Sequence, residues 1–285
     1  MNNIYKIFKG FQKIYLLAYY WIKNRVSNSP VTSDTQVVVS LTTYDKRFAV
    51  VYLTIESIAS GNLKPKRLIL WLQDEALFTN LPKTLQRLQK RGLEIKLVQN
   101  YGSHTKYYPY VRQYAGDGLP LVTADDDVFY PGYWLQGLYQ SYLENDAIVS
   151  CYRAHVVLLG DASDDKVAPF YQWGMCASDE PSFRNHATGV SGVIYPPRLQ
   201  QALAAAGDQF LELCPKGDDI WLHANAIRNG YKIKQIFKKD LHFRTIPFTQ
   251  QGGLIQQNAH EGLNTLQADK TYTAADIAIL RQEKV

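Results

Sequence analysis

Short apolar segments alternate with amphipathic ones between residues 36 and 98. Three runs have the length and composition of strands, 36–41, 67–72 and 94–98, and the first of them is β-branched and apolar, as in a buried strand. Between them, apolar residues recur at three- and four-residue spacing over 50–59 and 81–90, which predicts two helices. Strands that alternate with helices in this way predict an α/β fold, with a mostly parallel central sheet and helices on both faces.

A fourth strand is predicted over residues 120–124, and it runs directly into Asp125, Asp126 and Asp127. Parallel α/β sheets bind ligands beyond the carboxyl ends of their strands. Alternation along an extended chain would send the side chains of Asp125 and Asp127 to one side and that of Asp126 to the other. Two carboxylates so spaced can hold Mn²⁺ or Mg²⁺ and thereby a nucleotide diphosphate. The alternative is an acidic turn whose last aspartate caps the next helix.

The first 30 residues differ in composition from the rest of the chain. Residues 3–25 have the apolar spacing of an amphipathic helix. The segment has no acid, and its five basic residues are Lys6, Lys9, Lys13, Lys23 and Arg25. This pattern is typical of a helix on a membrane surface, here the cytoplasmic face of the cell membrane. A helix that packs on the domain or on a partner protein is the alternative.

The net charge and the cysteines exclude some classes of protein. Residues 31–285 hold 26 basic and 26 acidic side chains, so the excess charge of +5 belongs to the leader. A nucleic-acid-binding protein would carry its basic patch on the folded body, and no nucleic-acid partner is therefore expected. Cys151, Cys176 and Cys214 lack the spacing of a zinc site or a disulfide framework. They favour a reducing compartment and buried thiols.

Residues 122–131 resemble the DxD segment of bacterial capsule and lipopolysaccharide glycosyltransferases of the GT-A fold, which are similar to glycosyltransferase family 2. The segment resembles most of all that of the heparosan-capsule N-acetylglucosaminyltransferases, in which three aspartates also precede an aromatic residue and a proline. A looser likeness extends from Val37 to about Ile236. The resemblance implies a UDP-sugar donor, Mn²⁺ or Mg²⁺, and transfer of a hexosyl or N-acetylhexosaminyl group to a growing surface polysaccharide.

The resemblance also implies which residues hold the donor. Thr43, Tyr44 and Arg47 follow the first strand, where such enzymes begin the nucleotide pocket: Tyr44 would stack on the base and Arg47 would meet a phosphate. Lys106 lies in a segment like the Thr-Lys loop of the family and would bring positive charge to the donor. Asp126 is assigned to the donor as well. For these loop residues, a solvent-exposed position is the alternative.

Asp218 and Asp219 form a second acidic cluster, at the start of a helix predicted to reach Arg228. An inverting transfer needs a carboxylate that takes a proton from the acceptor hydroxyl. Family 2 enzymes place it in an ED-x-x-L pattern, and residues 219–222 match the D-x-x-L part. Asp219 is therefore the predicted base and Asp218 the second choice. Capping of the helix by Asp218 is the alternative.

Late histidines serve as metal ligands in several GT-A enzymes. By this resemblance His242, which follows a strand predicted over 231–237, joins Asp125 and Asp127 as a predicted ligand, and His260 competes with it. The glycine-rich residues 187–197 resemble a family segment beside the donor sugar, and a tight turn explains them equally well.

Three regions follow from these assignments: a membrane-associating leader (1–30), a nucleotide-sugar-binding half (31–135) and an acceptor-binding half (136–285) that ends in a flexible segment. The predicted function is a metal-dependent, inverting glycosyltransferase with an oligosaccharide or lipid-linked glycan acceptor, peripheral at the inner face of the cell membrane. Other capsule-assembly proteins are candidate partners. A retaining transferase is an alternative, because the DxD segment alone does not fix the stereochemistry. A sugar nucleotidyltransferase and a non-catalytic nucleotide-binding subunit of a capsule assembly complex are the others.

Overall fold

The computed structural model describes residues 2–161, 165–250 and 262–283. The strands of this part are β1 (Val38–Thr42), β2 (Arg67–Leu72), β3 (Leu93–Leu97), β4 (Leu121–Thr123), β5 (Val128–Phe129), β6 (Ile148–Cys151), β7 (Ala154–Val156), β8 (Gly174–Met175), β9 (Asn185–Ala187), β10 (Val193–Tyr195), β11 (Lys232–Gln235) and β12 (Arg244–Thr245).

The helices of the same part are α1 (Asn2–Val26), α2 (Val51–Ala59), α3 (Glu75–Thr79), α4 (Lys83–Lys90), α5 (Tyr108–Tyr114), α6 (Trp134–Glu144), α7 (Pro197–Ala206), α8 (Phe210–Leu213), α9 (Asp218–Arg228), α10 (Leu263–Thr271) and α11 (Ala274–Arg281). Short 3₁₀ turns cover Asp45–Ala49, Gly102–Lys106, Ala115–Asp117 and Phe170–Gln172.

Seven strands form the central sheet in the order β11-β6-β10-β4-β1-β2-β3. Strand β10 is antiparallel to both of its neighbours, and the other pairings are parallel. The predicted mostly parallel sheet is thus confirmed. The sheet takes strands from both predicted halves, because β10 lies between β4 and β6. The division near residue 135 stays a prediction. The predicted flexible segment, residues 250–264, falls largely on 251–261, outside the described residues.

Side chains that alternate along β1 and β2 enter two hydrophobic cores, one on each face of the sheet. Val39 and Leu70 pack with α2, α4 and α6 on one face. Val38 and Trp71 pack with α5, α7 and α9 on the other. Because helices cover both faces of β1 and β2, these two strands are buried along almost their whole length, whereas the edge strands β3 and β11 alternate buried and partly exposed residues.

The predicted N-terminal helix is present as α1, and its second half packs on the domain. The Tyr20 ring is buried and stacks on Phe129 at 5.7 Å between centroids. The buried Asn24 amide donates to Glu56 Oε1 at 3.0 Å, and Arg91 Nη2 donates to Glu56 Oε2 at 3.1 Å. Within the described residues, no helix has both the length and the apolar character needed to cross a bilayer. The three cysteines are free and buried, as predicted.

Candidate active site

The three aspartates lie in a turn between β4 and β5 and not on the extended strand itself. Three backbone contacts hold this turn: the Asp125 N–H donates to the Tyr130 hydroxyl (2.8 Å), the Thr54 hydroxyl donates to the Asp126 carbonyl (3.0 Å), and the Ile246 N–H donates to the Asp127 carbonyl (2.7 Å). The predicted strand alternation is therefore wrong, because a turn does not keep the period of two. The turn does not cap α6 either, since the N-cap of α6 is Tyr133.

Arg47 brings the second and third aspartates together. Its Nη1 lies 2.8 Å from Asp126 Oδ1 and its Nη2 lies 3.0 Å from Asp127 Oδ2. The Thr43 hydroxyl donates to the other Asp126 oxygen at 2.7 Å. Burial raises the pKa of Asp126, whereas Arg47 and Thr43 oppose that rise. The guanidinium predicted to meet a phosphate is thus engaged with two carboxylates.

Asp127 has two further partners that the sequence did not reveal. The Thr249 hydroxyl donates to Asp127 Oδ2 at 3.1 Å, and the Gln250 amide also donates to this oxygen. Burial raises the pKa of Asp127 to about 6; Arg47 lowers it, and the charges of Asp125 and Asp126 add to the rise. No local pattern marks Thr249 or Gln250, because their contact with Asp127 joins segments far apart in the chain.

Lys106 connects the two acidic clusters. Its ammonium lies 3.2 Å from Asp125 Oδ1 and 3.3 Å from Asp218 Oδ2. Burial works against the ammonium charge, but Asp218, Asp125 and Asp219 outweigh burial and raise the pKa of Lys106. The lysine therefore stays charged between the aspartate turn and the start of α9.

Asp219 lies in the first turn of α9 and contacts the glycine-rich segment. The Gly189 N–H donates to Asp219 Oδ1 at 2.9 Å. A Cβ at Gly189 would lie only 2.9 Å from that oxygen and 3.0 Å from Lys106 Nζ, so a glycine is needed for this close approach. Burial, and next the Asp218 charge, raise the pKa of Asp219 to about 7. Gly217 is the N-cap of α9, which means that Asp218 does not cap the helix.

The contacts of His104 hold Lys106 close to Asp218. Its Nε2 lies 2.7 Å from the Cys214 carbonyl and its Nδ1 lies 3.0 Å from the Tyr107 hydroxyl. The carbonyl can only accept, so Nε2 carries the proton and Nδ1 accepts from Tyr107. The imidazole also stacks on Phe210 at 4.0 Å. These contacts join the 3₁₀ turn that carries Lys106 to the loop that precedes α9.

The remaining predicted residues lie at the margin of this cluster or away from it. Tyr44 is 41% exposed and its ring lies 5.4 Å from the Arg47 guanidinium, so stacking on a base stays a prediction. His242 pairs with Asp240 at 2.9 Å. Among the described residues, no contact joins His242 to the aspartate turn, and its role as a metal ligand stays a prediction. His260 lies outside the described residues.

The carboxylate oxygens of the aspartate turn could hold a divalent cation if a bound phosphate supplied further ligands. Within the described residues, no group of three or more His, Cys, Asp and Glu side chains is arranged to hold a metal ion. Nucleotide-dependent enzymes hold Mg²⁺ through one or two carboxylates together with substrate phosphates, so a complete protein cage is not required. In the same part of the chain, Asp125 Oδ2 and Asp127 Oδ1 accept no hydrogen bond. Burial is the main cause of the raised pKa of Asp127, and the charges of Asp125 and Asp126, which a divalent ion would offset, add to that rise.

Comparison with known proteins supports the fold. No family model matches the sequence, and no curated protein matches it either. Residues 1–349 of TarS from S. aureus have a similar structure, with a TM-score of 0.50 at 16% identity over 86% of this chain and 69% of that 1–349 chain. Two further structures have a weaker likeness to this chain. A Pyrobaculum calidifontis mannosyltransferase in complex with GDP-Man and Mn²⁺ gives a TM-score of 0.47 at 13% identity over 82% and 66% of the two chains. A CMP–2-keto-3-deoxy-manno-octonic acid synthetase in complex with CTP gives 0.41 at 10% identity over 79% and 98%. The likeness to TarS and the sheet topology confirm the predicted GT-A fold.

Proposed function

We propose that this chain is a metal-dependent, inverting glycosyltransferase that moves a hexosyl or N-acetylhexosaminyl group from a UDP-sugar to an oligosaccharide or lipid-linked glycan. One observation carries the proposal: Lys106 contacts both Asp125 and Asp218. The carboxylates suited to the donor and the acidic pair that contains the proposed base, Asp219, are therefore neighbours in one site. If each acidic cluster only stabilised its own turn or helix, the two clusters would not need to lie next to each other.

Asp219 is the general base of the proposed reaction. Its carboxylate takes the proton of an acceptor hydroxyl while the hydroxyl oxygen forms a bond to the anomeric carbon. The bond from that carbon to the diphosphate oxygen breaks, and its electron pair leaves with UDP. A pKa of about 7 suits this role, because a base near neutrality is ionised at working pH and still accepts a proton readily. The Gly189 N–H orients the carboxylate through Oδ1.

The aspartate turn, with Arg47, forms the donor side of the proposed site. Asp125 and Asp127 would ligate a divalent ion, which when bound supplies positive charge at the leaving diphosphate. Asp126 is held by Thr43 and Arg47, so its role is to keep the nucleotide side of the turn in place. The open face of Tyr44 is the proposed contact for the base. The proposed product is a capsule or lipopolysaccharide chain, made at the inner face of the cell membrane.

Donor binding is tested by thermal unfolding with UDP, GDP and CDP, each with and without manganese. We expect UDP to raise the melting temperature only when manganese is present, because the ion and the diphosphate bind together. The Asp127→Ala variant should lose this stabilisation. Asp146→Ala, which removes an exposed carboxylate, should keep it. No stabilisation by any of the nucleotides would contradict the proposal.

The chemistry is tested with Asp219→Asn. This variant should keep the manganese-dependent stabilisation by UDP and lose transfer to acceptor by at least about 100-fold, the usual contribution of a general base. Transfer that persists would show that Asp219 is not the base. Release of pyrophosphate from a nucleoside triphosphate and a sugar phosphate would instead identify a nucleotidyltransferase. Binding of UDP without either reaction would favour a non-catalytic subunit.

A further inference from the structure

Helix α1 exposes an apolar stripe on the side that faces away from the domain. The stripe consists of six residues, each at least 47% exposed: Phe11, Ile14, Tyr15, Trp21, Ile22 and Val26. Their spacing of three, four, seven and eleven positions places them on one face of the helix. Isolated exposed apolar residues are ordinary, but a continuous stripe with aromatic rings marks a surface that binds something.

The opposite face of α1 is fixed to the domain, so the stripe cannot turn inward. Tyr20 is 7% exposed and Asn24 is 1% exposed. Asn24 donates to Glu56, which also pairs with the buried Arg91. Breaking such a buried network is strongly unfavourable. The helix therefore presents its apolar face outward in the folded protein.

The charge of α1 indicates which surface it binds. The helix carries five basic residues and no acid. The Arg25 guanidinium lies over the exposed Trp21 ring at 3.4 Å, so a basic and an aromatic group meet near the C-terminal end of the stripe. Aromatic rings beside basic groups suit the boundary between lipid headgroups and acyl chains, where the rings enter the apolar region and the cations meet anionic phosphates.

We propose that the outer stripe of α1 docks on an anionic lipid surface, with the helix lying parallel to that surface. The parallel orientation follows from the packing, because a helix held along one side by the domain cannot be surrounded by lipid. The proposal gives a physical basis for the membrane location included in the proposed function, and it does not depend on glycosyl transfer itself. The domain-facing side of α1 lies beside the segment that follows the aspartate turn: Tyr20 stacks on Phe129, and Gln12 accepts a hydrogen bond from Arg244 of the paired strand β12.

The proposal is tested by sedimentation of the full-length protein with vesicles. We expect binding to vesicles that contain phosphatidylglycerol and phosphatidylcholine, and at least about tenfold weaker binding to phosphatidylcholine alone, because each basic residue near an anionic surface contributes to the attraction. The double variant Tyr15→Ser/Ile22→Ser should reduce binding to the anionic vesicles about tenfold. Tyr171→Ser, which removes an exposed ring elsewhere, should bind like the parent protein.

A charge variant and two further measurements make the outcome decisive. Lys13→Glu/Arg25→Glu keeps all six apolar residues of the stripe. This variant should also bind anionic vesicles more weakly than the parent protein does. Equal binding to both vesicle types, or no binding, would overturn the proposal. A shift from dimer to monomer in the stripe variant, measured by light scattering, would overturn it in favour of a second copy of this chain. Stabilisation by UDP with manganese, measured without lipid, should be the same in all variants, so failure of lipid docking is distinguishable from failure of the proposed transfer.

Discussion

Asp218 lies beside Asp219 and its negative charge contributes to the raised pKa of that carboxyl. Asp219 must be ionised to accept a proton, so we expect the rate of transfer to increase as pH rises through about 7. Asp218→Asn removes the neighbouring charge and should move the midpoint of the pH profile about one unit lower. The profile of kcat/KM against pH measures this shift. The surface control Asp146→Asn should leave the midpoint unchanged. If Asp218→Asn also leaves it unchanged, Asp219 is not the titrating group.

Gly189 lies against the carboxylate and the ammonium at the centre of the site. A methyl group there would displace Asp219 Oδ1 or Lys106 Nζ by a few tenths of an ångström. We expect Gly189→Ala to lower kcat by about 10- to 100-fold, because small displacements of a catalytic group have large effects on rate. The melting temperature should change little, since both displaced groups are ends of flexible side chains.

Gly174→Ala is the matched control for this change. In the described structure, a Cβ at Gly174 would meet no atom within 4 Å. Its kcat should equal that of the parent enzyme. If both variants are fully active, the close approach at Gly189 has no role in catalysis.

Between elements, His104 joins the turn that carries Lys106 to the loop before α9. Burial lowers the pKa of His104 to about 4, so the ring stays neutral in the folded protein at pH values where the unfolded chain protonates it. Because the unfolded state then binds more protons, the contribution of His104 to the free energy of unfolding is complete above about pH 6.5 and decreases as pH falls toward 4. The decrease is on the order of 1 kcal/mol per pH unit.

His104→Ala tests this contribution. The variant loses the contacts to Cys214 and Tyr107 and the stack on Phe210, which should destabilise the protein by about 2–3 kcal/mol at neutral pH. The difference between the two proteins in urea unfolding should be smaller at about pH 5 than at about pH 7. The same difference at both pH values would contradict a neutral buried imidazole.

At the scale of the whole molecule, the central sheet is continuous across both predicted halves. Strand β10 pairs with β4 and β6, so a fragment of residues 31–135 would leave β4 as an unpaired apolar edge. It would also lose α7 and α9, which cover one core. We therefore expect this fragment to be unfolded or insoluble. Circular dichroism of the purified fragment checks this expectation, and a cooperative native-like transition would show that the first half folds alone.

Much of the secondary structure was predictable because it depends on local patterns. The apolar run 67–72 has the bounds of β2, and the acidic pair Asp218 and Asp219 opens α9 as predicted. Both follow from residues close in sequence: a continuous apolar run suits a buried strand, and carboxylates suit the first turn of a helix, where the helix dipole favours negative charge. Helix α1 was predictable too, but its apolar spacing did not distinguish the side that packs on the domain from the side that faces outward.

The sequence by itself determined the order of strands and helices, the position of the aspartates just beyond a strand and the basic, acid-free character of α1. Only the tertiary structure decided that Lys106 joins Asp125 to Asp218, that Arg47 pairs with Asp126 and Asp127, and that Thr249 reaches Asp127. The physical reason is the range of the forces involved. Strand and helix patterns arise within a few residues, whereas these ion pairs form only after the sheet and its helices bring distant turns together and exclude water from them.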